Sequence, residues 1–119
     1  MKTALENNEK ILCYQYERTE IYVLRLKGNI TDKETTQKLE KTVSDILKEK
    51  ISKLIIYQKE ETFAGEEELG QVLRLLTNNN TNIKFAGLSG RFKELVMIRK
   101  LNTQFKMYDS LEEAVKSYN

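Results

Sequence analysis

The feature that most constrains the fold is a short apolar run, Leu54-Ile55-Ile56-Tyr57, followed after a polar stretch by Leu69, Val72, Leu73 and Leu76. A short run that is apolar throughout is typical of a strand buried on both faces, whereas the later spacing is typical of an amphipathic helix. The sequence therefore predicts a strand over 53–57, a tight loop over 62–68, and a helix. Strand, loop and helix in this order form the basic unit of an α/β fold.

The same alternation continues along the chain. Strands are predicted over 10–16, 21–26, 53–57, 83–88 and 105–108, with the first two forming a hairpin. Three more helices are indicated by apolar stripes at Leu39, Val43, Ile46 and Leu47, at Phe92, Leu95 and Val96, and at Leu111, Ala114, Val115 and Tyr118. Their expected N-caps are Thr31 or Asp32, Ser89, and Asp109-Ser110. Because βαβ crossovers are right-handed, we expect an α/β sandwich with a mixed, mostly parallel sheet of four to five strands and about four helices mainly on one face.

Length and charge narrow the class of protein. The 119 residues suit one domain over 10–119 preceded by a short N-terminal extension over 1–9. Twenty basic and eighteen acidic residues alternate along the chain, which argues against nucleic-acid binding. No apolar run approaches the ~18 residues of a membrane span, and the N-terminus lacks a signal-peptide core, so we expect a cytoplasmic protein without membrane insertion. The single Cys13 fits a reducing compartment and is expected to be a small buried filler.

The residue types disfavour catalysis. The chain has no His, which removes the commonest general base and the commonest transition-metal ligand. It also lacks a Gly-rich phosphate loop and a convergent pair of acids. The sequence therefore predicts no enzyme, no metal site and no cofactor.

Three segments, taken in order, resemble a known family. Residues 22–31 read Tyr-Val-Leu-Arg-Leu-Lys-Gly-Asn-Ile-Thr and are similar to a strand that ends in a Gly-Glu-Leu/Ile-Asp turn; residues 54–70 are similar to a central strand with an Asp-Ser-Ser-Gly-Leu-Gly loop; residues 85–114 are similar to the C-terminal third. These are the features of the STAS domain, the fold of anti-sigma factor antagonists. The resemblance covers about 10–118 and implies a non-catalytic module that binds an anti-sigma factor of serine-kinase type.

The departures from the family fall on its switch site. When the chain is aligned on Leu69-Gly70, Glu66 occupies the position of the phosphorylated serine, and Gly65 and Glu67 replace its neighbours. Glu68 likewise replaces a glycine. The family's phosphoacceptor is therefore not carried over.

The first turn departs as well, because Asn29 and Thr31 stand where the family has acids. Thr62 supplies a hydroxyl upstream on the loop, but its position does not match the family's acceptor.

Several interpretations of the Glu66–Glu68 run remain open. The carboxylates can stabilise a helix N-terminus by roughly 0.3–1 kcal/mol each, with Gly65 as a permissive N-cap. Glu66 can act as a fixed, partial mimic of a phosphoserine, since a carboxylate has one charge and two acceptor oxygens. The run can also form a recognition patch for a basic partner. A metal or general-acid site is disfavoured because adjacent helical residues point about 100° apart.

The expected partner surface lies at one edge of the sheet, because loops that follow parallel strands gather there. Its members are residues of the first turn, the acidic loop and the start of the second helix, namely Gly28, Asn29, Thr31, Ala64, Gly65, Glu66, Glu67 and Gly70. Small residues in this set would let a partner backbone approach closely.

Two functions follow from the resemblance. The leading hypothesis is a regulatory binding module in bacterial partner switching, a monomer or weak dimer that binds an anti-sigma factor of serine-kinase type or another signalling protein. The alternative is a STAS-type accessory subunit or ligand-sensing domain that docks a transport or signalling protein, which exposure of Val96, Met97 and Ile98 would favour.

The predicted third helix is basic. Its cations, Arg91, Lys93, Arg99 and Lys100, can supply a second partner contact or form a solvated face.

Overall fold

Six strands form one sheet in the computed structural model, which describes residues 6–7, 10–49, 51–64, 70, 74–75 and 82–118. The strands are β1 (Glu6–Asn7), β2 (Ile11–Gln15), β3 (Ile21–Ile30), β4 (Lys53–Ala64), β5 (Asn82–Ala86) and β6 (Met107–Tyr108). They lie side by side in chain order; the first two pairings are antiparallel and the other three are parallel. This mixed, mostly parallel sheet confirms the predicted α/β fold and its β2–β3 hairpin.

The short strand β1 was not predicted. It lies in the segment expected to be an N-terminal extension, where Glu6 pairs with Cys13 and Asn7 with Leu12. A two-residue strand carries too little sequence pattern to be recognised from its own residues.

Helices connect the parallel strands, and one more helix follows β6. They are α1 (Lys33–Lys48), α2 (Gly90–Ile98) and α3 (Leu111–Lys116), with a 3₁₀ turn at Leu101–Thr103. Gly70, Arg74 and Leu75 are also helical. The stripe predicted for this helix, Leu69, Val72, Leu73 and Leu76, lies outside the described residues.

One face of the sheet carries the larger core. Alternating residues of β2, of β3 and of the first part of β4 point toward α1 and α2, as the two-residue period of a strand requires. The buried residues of this cluster are Ile11, Cys13, Leu24, Leu26, Ile30, Leu39, Val43, Ile46, Ile51, Leu54, Ile56, Ile83, Phe85, Phe92, Leu95, Val96 and Leu101. The stripes predicted for α1 and α2 are therefore confirmed, and Cys13 is fully buried, as expected.

The opposite face has a smaller core beneath α3. Val23, Ile55, Ala86 and Ala114 are buried there, with partly buried tyrosines around them. Helices thus cover both faces, with α1 and α2 on one face and α3 on the other. This agrees with the prediction that the helices lie mainly on one face.

Two helices begin with a side-chain cap. Asp32 caps α1 by accepting a hydrogen bond from the Thr35 amide at 2.9 Å, and Ser110 caps α3 by accepting one from the Glu113 amide at 3.2 Å. Short polar side chains are favoured at these positions because they satisfy amides that have no acceptor inside the helix. Among the predicted alternatives, the capping residue of α1 is therefore Asp32 and not Thr31, and that of α3 is Ser110.

Candidate functional site

The two segments predicted to approach each other are paired directly. At the carboxyl ends of β3 and β4, Gly28 pairs with Thr62, Asn29 with Phe63, and Ile30 with Ala64. Residues 28–30 of the predicted turn and residues 62–64 of the predicted loop are therefore strand, which corrects both predictions. Parallel pairing satisfies backbone groups that a loop would leave to solvent, so it extends both strands beyond the residues whose side chains look strand-like.

An irregularity precedes this extension. Leu26 pairs with Gln58 and Gly28 with Thr62, so residues 59–61 of β4 lie opposite Lys27 alone. Gly28 has a φ of +76°, and a β-carbon there would meet nothing within 4 Å. Glycine is therefore required at position 28 by its left-handed backbone and not by lack of space. Bulges of this kind re-aim the end of a strand.

The structure places five of the predicted partner-surface residues. Gly28 and Asn29 lie in β3, Ala64 ends β4, and Thr31 follows β3 with its hydroxyl donating to Asn29 Oδ1 at 2.5 Å. Asn29 and Thr31 are exposed, whereas Gly70 is buried. The remaining residues, Gly65, Glu66 and Glu67, lie outside the described residues.

Arg99 covers Gly70. A β-carbon built on Gly70 would lie 2.7 Å from Cζ of Arg99, and the contact to the terminal nitrogen is closer still. The guanidinium from the end of α2 therefore occupies the space that a side chain at position 70 would fill. Arg99 itself is exposed, and its basic character predicted only a solvated face or a second partner contact. Local spacing gives no signal for its contact with Gly70, which lies far from it in the sequence.

Gln58 joins β4 to the start of α2. Its side chain is 3% exposed, and its Oε1 accepts a hydrogen bond from the Ser89 amide at 2.8 Å. Ser89 is the N-cap of α2, as predicted, but its side chain makes no capping hydrogen bond. The alternation of Leu54, Ile56 and Gln58 places this amide on the core face, so the two-residue period of the strand is a local signal for its burial.

The loop between β5 and α2 is held close to Gln58. Gly87 has a φ of +68°, and a β-carbon there would lie 3.0 Å from the Gln58 carbonyl oxygen. Glycine is therefore required at position 87 by both its backbone and its surroundings. Since β3, β4 and β5 all end at this edge, the start of α2 lies at the same edge of the sheet as the 28–30 and 62–64 segments.

The start of α1 adds a carboxylate to this edge. Hydrogen bonds from the amide and the hydroxyl of Thr35 hold the pKa of Asp32 below its usual range, with a smaller contribution from Lys10, whose Nζ lies 3.7 Å from Oδ1 of Asp32. Asp32 is therefore engaged in capping and is not available as a proton donor near neutral pH.

A shallow cavity of about 240 Å³ lies between α2 and β6. Its walls combine apolar and charged side chains, from Leu88, Lys93, Met97, Met107, Tyr108 and Asp109. Met97 and Ile98 on α2 are 50% and 62% exposed, whereas Val96 is fully buried. The run Val96–Ile98, whose exposure would favour an accessory subunit, is therefore exposed at two of its three positions.

The basic side chains on α2 and just after it make different contacts. Arg91 pairs with Glu94 at 3.1 Å, and Arg99 packs on Gly70. Lys93 and Lys100 are exposed. Of the four cations predicted to form one face, Lys93, Arg99 and Lys100 have no ion-pair partner within the described part of the chain.

Among the described residues, no three His, Cys, Asp or Glu side chains are grouped so that they could hold a metal ion.

Within the same ranges, no helix has the length and apolar character needed to cross a membrane.

Two solved structures are similar to this chain. An anti-sigma factor antagonist from Mycobacterium paratuberculosis matches with a TM-score of 0.71 and 17% identity, covering 95% of this chain and 97% of that one. A Thermotoga maritima protein assigned as an anti-sigma factor antagonist matches with a TM-score of 0.63 and 15% identity, covering 82% and 86%. No family model matches the sequence, and a search of curated proteins finds no significant relative. The expected STAS-type fold is thereby confirmed.

Proposed function

We propose that this protein is a non-catalytic regulatory module of the anti-sigma factor antagonist type, which acts in bacterial partner switching and so in control of transcription. The observation that carries the proposal is the pairing of residues 28–30 with 62–64 at the carboxyl edge of the sheet. This pairing joins the two segments that resemble the family's partner-binding turns, in a fold shared with two anti-sigma factor antagonists. We place the protein in the cytoplasm, as a monomer or weak dimer.

The proposed partner surface has an exposed polar margin and a small-residue centre. Asn29 and Thr31 are exposed and can exchange hydrogen bonds with a partner. Gly28 and Ala64 let a partner backbone approach closely. Gly70 is covered by Arg99, so a partner would meet the guanidinium there and not the glycine.

Glu66 defines the proposed state of the switch. A carboxylate supplies one charge and two acceptor oxygens, whereas a phosphoserine supplies close to two charges and three oxygens. Glu66 therefore acts as a partial, permanent mimic that keeps affinity for a kinase-type anti-sigma factor low. The partner itself is an anti-sigma factor of serine-kinase type.

The test compares three forms of the protein, namely wild type, Glu66→Ser and the matched control Glu67→Ser. Each is used to capture partners from native lysate, and the affinity of any captured kinase is then measured with purified proteins. We expect Glu66→Ser to bind such a kinase at least about tenfold more tightly than wild type and to be phosphorylated at position 66. The control should bind like wild type.

Equal binding by all three forms would reject the mimic and leave the glutamates as helix-end residues. A phosphopeptide from wild-type protein spanning 60–70 would instead assign the acceptor to Thr62.

A second candidate function is supported by the exposure of Met97 and Ile98. Exposed apolar side chains beside a cavity mark interaction surfaces, which suits an accessory subunit that docks a transport or signalling protein through α2. Met97→Gln with Ile98→Gln should then abolish capture of that protein without affecting a kinase bound at the sheet edge. The same double substitution can be made in the Glu66→Ser background. If it then removed only the kinase and left capture of the docked protein unchanged, it would contradict this assignment.

A further inference from the structure

The strand β6 forms one edge of the sheet, and no other strand of the described chain lies beyond it. The carbonyl oxygens of Lys106 and Tyr108 both accept hydrogen bonds at 2.9 Å from amides in or just after β5. Because the backbone groups of successive strand residues point to opposite edges, the N–H and C=O of Met107 are directed away from β5. Such an edge can accept a further strand.

Apolar side chains continue from this edge onto α2. Met107 is half-buried, and together with Met97 it lines the shallow cavity between β6 and α2. Met97 is 50% exposed, and the next residue, Ile98, is 62% exposed. Exposed apolar surface beside an open backbone edge is typical of an interaction site.

The segment that contains β6 carries opposite charges at its two ends. It reads Lys106-Met107-Tyr108-Asp109. Lys106 and Asp109 are both exposed, and neither forms an ion pair with another described residue. A segment that begins with a positive charge and ends with a negative one is complementary to itself when two copies run antiparallel. Parallel copies would bring like charges together.

We propose that two copies of this protein associate through β6, which pairs antiparallel with β6 of the second copy about a twofold axis at Met107. The outward N–H and C=O of Met107 in one copy then exchange hydrogen bonds with the same groups in the other. Lys106 lies opposite Tyr108 of the second copy and next to its Asp109. The two sheets thereby become one.

The neighbouring registers are less favourable. An axis at Lys106 would set two like charges directly opposite each other. An axis at Tyr108 would pair Met107 with Asp109 of the second copy, and Asp109 has already left β6 toward α3. The axis at Met107 avoids both arrangements.

Side chains support this register on both faces of the joined sheet. On one face, the ammonium of Lys106 lies against the ring of Tyr108 in the second copy, which is a favourable contact between a cation and an aromatic ring. On the α2 face, Met107 and the exposed Met97 and Ile98 approach the same residues of the second copy and lose contact with water. Because this contact is small, we expect a dissociation constant on the order of 100 µM.

The test measures self-association of the purified full chain by sedimentation equilibrium, from about 10 µM to about 1 mM protein. Lys106→Asp and Asp109→Lys each replace attraction by repulsion at two symmetric places, so each variant alone should associate at least about tenfold more weakly than wild type. An equal mixture of the two should associate within about threefold of wild type, because one then carries only acidic and the other only basic residues at these positions.

Lys41→Asp is the matched control. Lys41 is exposed on α1, and this variant has the same net charge as Lys106→Asp, so it should associate like wild type. The contact is located by NMR of ¹⁵N-labelled wild type, in which the Met107 amide should shift as the protein is concentrated.

The proposal is overturned if wild type remains monomeric at about 1 mM. It is overturned equally if the mixed variants associate no better than each alone, or if concentration shifts other amides and not that of Met107. These measurements contain no partner protein, so their outcome is independent of whether Glu66→Ser captures a kinase.

Discussion

The guanidinium of Arg99 lies directly on Gly70, at a position where a β-carbon would be 2.7 Å from Cζ. Arg99 ends α2, and Gly70 is a helical residue just after the acidic run Glu66–Glu68. The contact therefore joins α2 to the helical segment that follows the candidate switch.

This contact predicts that Gly70→Ala and Arg99→Ala are energetically coupled. Alanine is favoured over glycine in a helix by about 1 kcal/mol, so Gly70→Ala should stabilise the Arg99→Ala background by about that amount. In the wild-type background the new methyl group displaces the guanidinium, so the gain should be smaller by about 0.5 kcal/mol or more. Urea unfolding of the four proteins measures the difference, and equal gains in both backgrounds would show that Arg99 does not occupy this space.

Tyr118 should anchor α3 to the sheet. Its hydroxyl donates to the Asn82 carbonyl at 2.6 Å and approaches the Leu54 carbonyl at 3.2 Å, and the ammonium of Lys84 lies 3.8 Å from its ring centroid. Tyr118→Phe removes the hydroxyl but keeps the ring, so it should cost about 1 kcal/mol of unfolding free energy. Tyr16→Phe is a matched control, because the Tyr16 hydroxyl has no hydrogen bond within the described residues.

Tyr118 should also make folding stability depend on pH in the alkaline range. Burial raises the pKa of Tyr118 above its ordinary value. Above about pH 10 the unfolded chain loses this proton while the native state retains it, so stability falls as pH rises. The difference in unfolding free energy between wild type and Tyr118→Phe should therefore be smaller at pH 11 than at pH 8. A difference that stays constant with pH would show that Tyr118 ionises alike in both states.

Asp32 should make folding stability depend on pH in the opposite direction, so that stability is lost as pH falls. Hydrogen bonds from Thr35 lower its pKa, so its stabilising effect is present above the ordinary carboxyl pKa of about 4 and is lost as pH falls through the native value. Asp32→Ala should lower the thermal midpoint at pH 7, and the two proteins should converge as pH approaches 2. Asp45→Ala removes a charge from the same helix without removing a cap. If this control lowers the midpoint equally, charge and not capping is responsible.

Cys13 should be unreactive in the native protein. It is fully buried in the larger core, and burial raises the pKa of its thiol to about 12, which suppresses the thiolate that reacts with labelling reagents. At pH 8 we expect labelling by a disulfide reagent to be roughly a thousandfold slower than in denaturant, because reaction then requires opening of the core. Complete labelling of native protein within the mixing time would contradict the burial.

The strand and helix types were predictable because they depend on local spacing. Leu39, Val43 and Ile46 recur at helical intervals and are buried on one face of α1, as expected. Strand ends were less predictable. β3 and β4 continue through residues 28–30 and 62–64 because each supplies the other's backbone hydrogen bonds, and side-chain pattern does not record that exchange.

The sequence by itself determined the fold class, the buried stripes and the absence of histidine chemistry, since these depend on residue type and on spacing within a few turns. Only the tertiary structure decided that Gln58 reaches the Ser89 amide, thirty-one positions along the chain, and that Arg99 covers Gly70. Such contacts depend on how strands and helices pack once the chain is compact. These contacts form because buried polar groups need hydrogen-bond partners and because interior space must be filled. Both requirements are met by residues that are close in the folded protein but distant in the sequence.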